Sequence, residues 1–379
     1  MTGRQATITV IYSHPLHVGG IETHLLSLLR HHDPARYRWC IMAPTSPEFA
    51  AQAQALGAHV VSWRPTNALD ARALTSLVRL LRGQHTSLVH PHSPLAALYG
   101  RLAARWLRLP AVVTVHLALD DLLSRPNERT RLLYRWVERV LNYGFTHRLI
   151  YVSPRLGRAA VEASLAPRAR VRVIENGIDL SSYSQTTARQ SIRQAFHLSS
   201  ETLVLCCVAR LEAQKGIDLL LDALSLINAD SCDWQLWLVG DGHERPLLEA
   251  QARRLGLEAR VKFLGYRSDV PCLLQAADVF VLPSRFEAMS IALLEAMAAG
   301  LPSVVTNVGE NAHSVESGLT GTVVPPENVH DLARGLGELL TNAELRQRMG
   351  QAARRKAHAY SDQHMAEQTY AVYDSLLHP

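Results

Sequence analysis

The feature that most constrains the fold of this chain is an alternation of short apolar runs with longer helical segments, which begins at residue 6 and begins again near residue 200. The predicted strands are residues 6–12, 37–43, 59–63, 87–90, 111–116, 147–152 and 170–174, then 202–209, 234–239, 261–263, 279–282 and 303–306. Apolar strands separated by helices are typical of a parallel sheet covered on both faces. The pattern therefore predicts an α/β protein with two doubly wound domains, joined near residues 175–200.

A chain of 379 residues has room for two such domains, and its 47% hydrophobic and 19% charged residues exclude a disordered protein. Five scattered cysteines without a C-x-x-C pair favour neither a disulfide framework nor a zinc site, which fits a reducing cytoplasm. The first residues are polar and the apolar run after them is short, so we predict neither a signal peptide nor a membrane span.

Charge is unevenly distributed between the two halves. Residues 1–175 hold 22 arginines, no lysine and ten acidic residues, a net charge of +12, whereas the remainder carries −7. A half this basic can attract phosphate, an anionic membrane surface or nucleic acid, although arginine usage can also reflect genome composition. Because no motif of a nucleic-acid reader is present, nucleic acid is not expected, and residues 101–108 and 125–139 become candidates for contact with an anionic membrane.

The strongest motif follows a predicted strand and runs into a helix, where ligands of open α/β sheets bind. Glu287 and Glu295 are separated by seven residues, and eight residues of helical rise would place them about 12 Å apart. That distance suits a sugar at one end and a ribose at the other, with the amides of Met289, Ser290 and Ile291 facing a diphosphate between them. The alternative is a surface glutamate followed by a partly buried helical one.

Two cations strengthen the first interpretation. Arg210 ends a strand and Lys215 follows just before a helix, so a single loop offers a bidentate and a compact positive charge for a diphosphate. Gly240 follows the next strand and is expected to close a wall of the site, unless it is only a tight turn. Tyr266 and Arg267 follow the strand after that, where the backbone could pair with a base edge.

In the first half, the paired glycines Gly19 and Gly20 follow the first strand and would let the backbone approach a phosphate or sugar closely. They are not part of a G-x-G-x-x-G fingerprint, so a nicotinamide cofactor is not supported. His116 ends another strand, and it has either a functional role at the carboxyl end of that strand or a structural role in packing. His90 and His92 flank a proline at a further strand end and either line the site or pack the core. The chain has no D-x-D triplet, the usual metal-binding pattern for a diphosphate.

Together these motifs resemble the retaining glycosyltransferases of family four, which have the GT-B fold. The resemblance covers essentially the whole chain. It is carried, in order, by Gly19-Gly20-Ile21-Glu22, His116, Asn176-Gly177-Ile178-Asp179, Arg210 with Lys215, and Glu287 through Glu295.

The resemblance implies two Rossmann-like domains with an interdomain cleft. Residues 1–175 would form the acceptor-side domain and residues 176–360 the domain that binds the nucleotide-sugar donor. Residues 361–379 would form a helix that crosses back to the first domain.

The resemblance also implies a role for each matching residue. Arg210 and Lys215 would hold the donor diphosphate and stabilise the leaving group, while Glu287 contacts the transferred sugar. The remaining roles are ribose binding by Glu295, contact of the 289–291 amides with sugar or phosphate, approach of Gly20 to the phosphate, and a place for His116 beside the reacting centre. Ala288 departs from the glycine that is frequent in the family. After Gly309 the family commonly has a second glycine and a downstream glutamate, where this chain has Glu310 and His313.

The implied activity is retaining transfer of a hexosyl or N-acetylhexosaminyl group without a metal or other cofactor. The donor would be a nucleotide diphosphate sugar, with UDP favoured, and the acceptor a glycan or a lipid-linked molecule. The expected location is the cytoplasm, peripherally at the inner face of a membrane. The alternatives are a nucleotide-sugar epimerase and a non-catalytic protein that binds nucleotide sugars or other anions.

Overall fold

The computed structural model describes residues 5–13, 19–44, 46–68, 70–117, 128–183, 188–227 and 232–378. The chain divides into two compact units: unit 1 comprises Met1–Gly177 and Asp362–Pro379, and unit 2 comprises Ile178–Ser361. Each unit contains parallel sheet, covering helices and its own apolar core. Among the helices in the described ranges, none combines the length and the apolar content that crossing a bilayer requires.

The strands of unit 1 are β1 (Ala6–Ile11), β2 (Tyr37–Met42), β3 (His59–Val61), β4 (Leu88–Pro91), β5 (Val112–Val115), β6 (Arg148–Tyr151) and β7 (Val171–Val173). Its helices are α1 (Gly20–Arg30), α2 (Pro47–Ala55), α3 (Ala71–Gly83), α4 (Pro94–Leu107), α5 (Glu128–Gly144), α6 (Pro154–Glu162) and, from a later part of the chain, α15 (Asp362–Leu377). The strands pair in parallel in the orders β3-β2-β1-β4 and β5-β6-β7. A parallel bridge between Val89 and Ala111 connects the two groups.

Helix α15 belongs to the core of unit 1 through its aromatic face. Tyr370 stacks on Tyr37 with ring centroids 5.1 Å apart, and its hydroxyl donates to the Leu28 carbonyl oxygen over 2.7 Å. Tyr373 is fully buried and shares a hydrogen bond of 2.6 Å with His90 Nδ1. A segment distant in sequence therefore covers the sheet between α1 and β4.

The strands of unit 2 are β8 (Leu203–Val208), β9 (Trp234–Val239), β10 (Val261–Gly265), β11 (Val279–Leu282), β12 (Ser303–Thr306) and β13 (Gly321–Val324). Its helices are α7 (Ala188–Ala195), α8 (Ile217–Ser225), α9 (Arg245–Arg254), α10 (Val270–Ala276), α11 (Ile291–Ala298), α12 (Asn311–Ser314), α13 (Val329–Thr341) and α14 (Ala343–Ala357). The sheet is parallel, with the order β10-β9-β8-β11-β12-β13. The chain runs outward from β8 in one direction and from β11 in the other, so these two neighbouring strands form a topological switch point, where ligands of such sheets bind.

The prediction of two doubly wound parallel α/β folds is confirmed, but the sequence pattern missed three elements besides the single-turn helix α12. Strand β13 begins at Gly321, where any β-carbon would overlap the Ser303 carbonyl oxygen of the paired strand. Helix α6 contains Gly157, whose missing side chain lets the helix pack closely on Val173. Glycine weakens both the strand and the helix signal in a sequence, although here close packing requires it.

The third missed element, α7, lies in the segment predicted to be a linker. Arg189 Nη2 lies 2.7 Å and Arg193 Nη1 lies 3.2 Å from the carboxylate of Asp278, and both arginines also donate to backbone carbonyls at the end of α10. Ion pairs rather than an apolar stripe attach this polar helix, so its hydrophobic pattern gave little indication of a helix.

Arg101, in a stretch predicted to face a membrane, lies inside unit 1 instead. Its guanidinium is fully buried and donates to both carboxylate oxygens of Glu138, over 3.0 and 2.8 Å, and to Asn142 Oδ1 over 2.8 Å. A buried and paired arginine cannot contact lipid, so the prediction is wrong for this residue. The predicted stretch 125–139 begins outside the described residues.

Candidate functional site

The predicted donor-site residues of unit 2 gather at the carboxyl ends of β8 and β11. These strands are neighbours in the sheet, so the loop that follows β8 and the loop that follows β11 leave the same edge side by side. The first loop carries Arg210 and Lys215, and the second carries Glu287. The topological switch point therefore brings together side chains that are more than 70 residues apart in sequence.

Lys215 and Glu287 form a direct ion pair at this edge. Lys215 Nζ lies 2.6 Å from Glu287 Oε1, and both side chains are mostly buried. Ser284 Oγ, which is fully buried, donates to the same carboxylate oxygen over 2.8 Å. Charge-assisted bonds of this kind are strong when water is excluded, so both groups are held in one orientation.

Backbone contacts lock the two loops against each other. Gly216 has a positive φ of 63°, and a β-carbon there would overlap the Pro283 carbonyl oxygen. Gln214 Nε2 donates to the Phe286 carbonyl oxygen over 3.0 Å, and the Arg285 amide donates to the Gln214 carbonyl oxygen over 2.8 Å. Because the loops touch through their backbones, they hold the Lys215–Glu287 pair in a preorganised position.

Arg285 is a residue that the sequence analysis missed. Its guanidinium donates to both carboxylate oxygens of Asp218, over 2.8 and 2.7 Å, to the Ala213 carbonyl oxygen over 2.6 Å and to Glu327 Oε1 over 2.7 Å. Hydrogen bonding to Asp218 raises the pKa of Arg285 above its ordinary value. Arg285 thereby ties the segment before Lys215 to the loop after β11. A single arginine next to the motif gives no sequence signal for this role.

Arg210 is placed differently from its predicted partner Lys215. The ion pair that it makes is with Glu212 in its own loop, at 2.6 Å from Nη1 to Oε1, and its side chain is largely exposed. Exposed pairs contribute little to stability, so the guanidinium can exchange this partner for a ligand at small cost.

The geometry between Glu287 and Glu295 differs from the predicted helical rise. Helix α11 begins only at Ile291, and Ser290 is its N-cap, with Oγ accepting from the Leu293 amide over 3.3 Å. Glu287 therefore lies in the loop before the helix, so the continuous helix on which the spacing of about 12 Å was based does not extend from Glu287 to Glu295. Met289 is buried, whereas Glu295 is half-buried on the second turn of α11.

Gly240 lies against the loop that holds Arg210. It has a φ of 130°, and a β-carbon there would overlap the Ala209 carbonyl oxygen. The Gly240 amide also donates to the Gly265 carbonyl oxygen over 2.8 Å, which joins the ends of β9 and β10. Glycine at 240 is therefore required by this close approach.

Two further predicted residues follow Gly265 on the β10 side of the sheet. Tyr266 is exposed, and Arg267 donates to both carboxylate oxygens of Asp269, over 2.7 and 2.6 Å. Because the Arg267 guanidinium is already paired with Asp269, the backbone of Arg267 is more available to a ligand than its side chain.

In unit 1, four histidines cluster at the carboxyl ends of β4 and β5. His92 Nδ1 and His116 Nε2 share a hydrogen bond of 3.0 Å, and the ring of His24 lies 5.1 Å from that of His116. His90 bonds through both nitrogens, to Tyr373 and, over 2.7 Å, to Thr114 Oγ1, so His90 serves the core.

Burial keeps these histidines neutral. It lowers the pKa of His24 to about 4 and that of His90 to about 3, and it lowers the pKa values of His92 and His116 well below their ordinary range. A neutral imidazole offers one donor and one acceptor, which suits hydroxyl groups of a ligand.

Three of these histidines could also be considered as metal ligands. In the described part of the chain, His24, His92 and His116 are the one group of potential ligands close enough to share an ion, with their ligand atoms within 4.8 Å of one another. The hydrogen bond between His92 and His116 accounts for their closeness without an ion. Metal independence stays a prediction.

Gly20 lies at the same end of unit 1 as His116. It is the first residue of α1, and the Gly19 amide before it donates to Glu22 Oε2 over 3.0 Å. His24 follows one turn later on the same face of α1 and links Gly20 to the histidine cluster. Sequence reasoning missed His24, whose spacing of four residues from Gly20 was the available signal.

Comparison with known proteins agrees with this arrangement in both units. The family described as Glycosyltransferase Family 4 matches residues 18–182, and the family described as Glycosyl transferases group 1 matches residues 188–356. A galactosyltransferase of Escherichia coli that uses UDP-Gal and α-D-GlcNAc-diphosphoundecaprenol is 30% identical over 272 residues, covering 70% of each chain. An α-D-kanosaminyltransferase of Streptomyces kanamyceticus is 31% identical over 307 residues, covering 78% of this chain and 79% of its own.

Solved structures are similar over nearly the whole chain. HepE of Anabaena in complex with UDP and glucose superposes with a TM-score of 0.86 at 23% identity, covering 98% of this chain and all of its own. A glycosyltransferase of Rickettsia africae superposes with a TM-score of 0.83 at 18% identity, covering 99% and 100%. At these identities the likeness concerns the fold.

Proposed function

The chain belongs to glycosyltransferase family four and is a glycosyltransferase of the GT-B fold, and from this premise we propose that it catalyses retaining, metal-independent sugar transfer. The proposed donor is a nucleotide diphosphate sugar, and the proposed acceptor is a glycan or a lipid-linked molecule. The observation that carries the proposal is the buried Lys215–Glu287 pair at the switch point of unit 2.

The pair separates the two tasks that such a donor requires. Lys215 supplies positive charge for a diphosphate, while the Glu287 carboxylate, already oriented by Ser284, can accept hydrogen bonds from sugar hydroxyls. Arg210 would leave Glu212 and add a second cation as negative charge develops on the leaving group. The Met289, Ser290 and Ile291 amides before and at the start of α11 would face sugar or phosphate, and Glu295 would bind the ribose.

Two features support a UDP-sugar as the donor. The E. coli relative uses UDP-Gal, and HepE was crystallised with UDP and with UDP-glucose. We assign the backbone that follows Gly240 and the Tyr266–Arg267 segment to the nucleotide side of the site, because they follow β9 and β10, which lie on the other side of β8 from β11. The proposed transferred group is a hexosyl or an N-acetylhexosaminyl group.

We propose that retention is achieved by same-face attack, without a covalent bond between the sugar and a protein nucleophile. The bond from the anomeric carbon to the leaving phosphate oxygen breaks, and the acceptor oxygen forms a new bond on the same face. The acceptor proton passes to the departing phosphate. Neutral His116, with Gly20 on the neighbouring helix α1, would position sugar hydroxyls and phosphate.

The acceptor class rests on the relatives. The acceptor of the E. coli enzyme is a diphosphoundecaprenol-linked sugar, which is lipid-linked. We extend that class, or a free glycan, to this chain. A lipid-linked acceptor would place the reaction at the cytoplasmic face of a membrane, where nucleotide sugars are available.

The test is a screen of UDP-, GDP- and ADP-sugars with the purified protein in the presence of a chelator. We expect thermal stabilisation by the UDP series and slow release of UDP, with an α-linked product from an α-configured donor once an acceptor is supplied. Product of inverted configuration, or epimerised donor without transfer, would contradict the proposal.

The Lys215→Ala variant tests the site itself. Removing a preorganised positive group at the leaving phosphate should lower kcat about a hundredfold or more. Lys356→Ala is the matched control, because Lys356 also lies in unit 2 and is also ion-paired, over 2.7 Å to Glu316. Equal activity of the two variants, each measured on folded protein, would remove Lys215 from the catalytic site.

A further inference from the structure

Helix α5 of unit 1 presents an apolar face outward. Leu132, Leu133, Trp136, Val140 and Tyr143 are exposed, with exposed fractions between 40% and 62%. Four of these, at positions 132, 136, 140 and 143, recur every three or four residues, so they lie along one side of the helix. We call the five residues the α5 stripe. A solvent-facing helix normally carries polar residues on this side.

The opposite side of α5 is anchored in unit 1, which fixes the rotation of the helix. Glu138 binds the buried Arg101, Leu141 is buried, and Asn142 Nδ2 donates to the Leu165 carbonyl oxygen over 3.0 Å. These contacts direct the α5 stripe away from the core. The stripe is therefore an exposed surface of the folded unit rather than a face that turns inward.

Arginines border the α5 stripe. Arg129 lies at its N-terminal end and Arg139 beside it; both are exposed, and the Arg139 guanidinium lies over the Tyr143 ring at 5.7 Å from its centroid. The one acidic side chain of α5 that the structure describes, Glu138, is neutralised by Arg101. The surface is thus apolar along its middle and positively charged at its margins.

We propose that the α5 stripe and its arginines form a docking surface for a bilayer that contains anionic phospholipid. Tryptophan and tyrosine prefer the boundary between headgroups and acyl chains, and arginine extends its charge to the phosphates while its stem stays in apolar surroundings. An amphipathic helix with this composition lies in the plane of the interface. A second copy of the chain fits less well, because self-pairing along the stripe would oppose arginines to arginines.

This inference goes beyond the proposed function and does not depend on the sugar or the nucleotide. It requires only that unit 1 is folded. If the acceptor is lipid-linked, docking through α5 would hold unit 1 at the surface that presents it.

The experiment is flotation of the full chain with vesicles of phosphatidylcholine alone and of phosphatidylcholine mixed with phosphatidylglycerol. We expect binding to the anionic vesicles at low salt and weaker binding at high salt, because screening reduces the arginine contribution. The double variant Leu132→Ser/Trp136→Ser should reduce partitioning at least about tenfold. Its matched control, Leu226→Ser/Leu247→Ser, removes two similarly exposed apolar side chains from unit 2 and should bind like the wild type.

The charged margin has its own variant pair. Arg139→Gln should weaken binding to anionic vesicles about fivefold, whereas Arg253→Gln, at an exposed position on α9, should have no effect. Failure of the wild type to float with anionic vesicles at low salt would overturn the proposal, and so would equal partitioning of the Leu132→Ser/Trp136→Ser variant and the wild type. A wild-type dimer in sedimentation that this variant abolishes would assign the stripe to a second copy instead.

Two further readouts separate this inference from the proposed function. Circular dichroism and the unfolding midpoint should match between the variants and the wild type, because the replaced side chains are exposed. Stabilisation by UDP should also be unchanged. Loss of vesicle binding with intact UDP binding supports the α5 assignment, whereas vesicle binding by a chain that ignores every nucleotide sugar would leave α5 assigned and refute the donor proposal.

Discussion

Acid should unfold unit 1 before unit 2, because unit 1 buries neutral histidines. The ordinary histidine pKa of 6.5 is lowered by burial to about 4 in His24 and about 3 in His90. In the unfolded chain both would protonate near 6.5, so between that pH and about 4 the unfolded state binds more protons than the folded state. The contribution of these two histidines to the free energy of unfolding of unit 1 is therefore highest above pH 6.5, and it decreases as the pH falls through this window.

The magnitude depends little on the folded pKa values. At about pH 5 neither folded histidine is protonated, whereas the unfolded one mostly is, so each costs about 2 kcal/mol relative to about pH 7.5. His24 and His90 together then cost about 4 kcal/mol, which is a large fraction of the stability of a domain. Carboxylates remain mostly ionised at this pH, which limits their contribution to the change.

The assay is urea unfolding followed by hydrogen exchange and mass spectrometry, with peptides from β1 and β4 reporting on unit 1 and peptides from β8 and β9 on unit 2. His24→Gln removes one titrating group and retains a donor for Asn176, so the loss of stability between the two pH values should shrink by about 2 kcal/mol. His59→Gln, at an exposed position of the same unit, should leave the loss unchanged. Equal losses in wild type and His24→Gln, or equal acid sensitivity of the two units, would refute the reasoning.

Two further predictions concern the loops of unit 2. Arg285→Lys should lower kcat about tenfold, because lysine cannot reproduce the bidentate bond to Asp218 that positions the loop of Lys215. Asp218→Asn should also lower kcat. Unchanged steady-state kinetics in both variants would contradict this role. In urea unfolding, Gly216→Ala should destabilise unit 2 by about 1–3 kcal/mol more than Gly256→Ala. Both glycines have a positive φ, but only at Gly216 would a β-carbon overlap backbone atoms. Equal effects would show that the loop after β8 can shift to accommodate a β-carbon.

The sequence was sufficient for the features that repeat along the chain. Apolar strands and intervening helices follow from local periodicity, and chain order alone places the loops after β8 and β11 where ligands of α/β sheets bind. The Glu287–Glu295 motif was visible because its members are close in sequence. Its geometry was not, since the start of a helix depends on a cap such as Ser290, which a spacing rule ignores.

Features that depend on tertiary contact could not be predicted. The direct bond between Lys215 and Glu287 joins residues 72 positions apart, and the Arg285–Asp218 bond joins residues 67 positions apart. Arg101 illustrates the same limit in unit 1. An arginine in a basic stretch is expected to be exposed, but the tertiary fold places Arg101 beside Glu138, which pairs with its buried guanidinium. Short elements with glycine, such as β13, are weak in sequence because the packing that selects them is not local.

The attachment of α15 to unit 1 has a consequence for synthesis on the ribosome. The N-terminal part of unit 1 emerges first, but Tyr370 and Tyr373, which close its core over Tyr37 and His90, are translated only after all of Ile178–Ser361. Domains are usually able to fold in the order in which they emerge. Here the part of unit 1 before Ile178 keeps an uncovered apolar sheet while Ile178–Ser361 is synthesised, so the nascent chain passes through a stage in which it would be a natural client of chaperones.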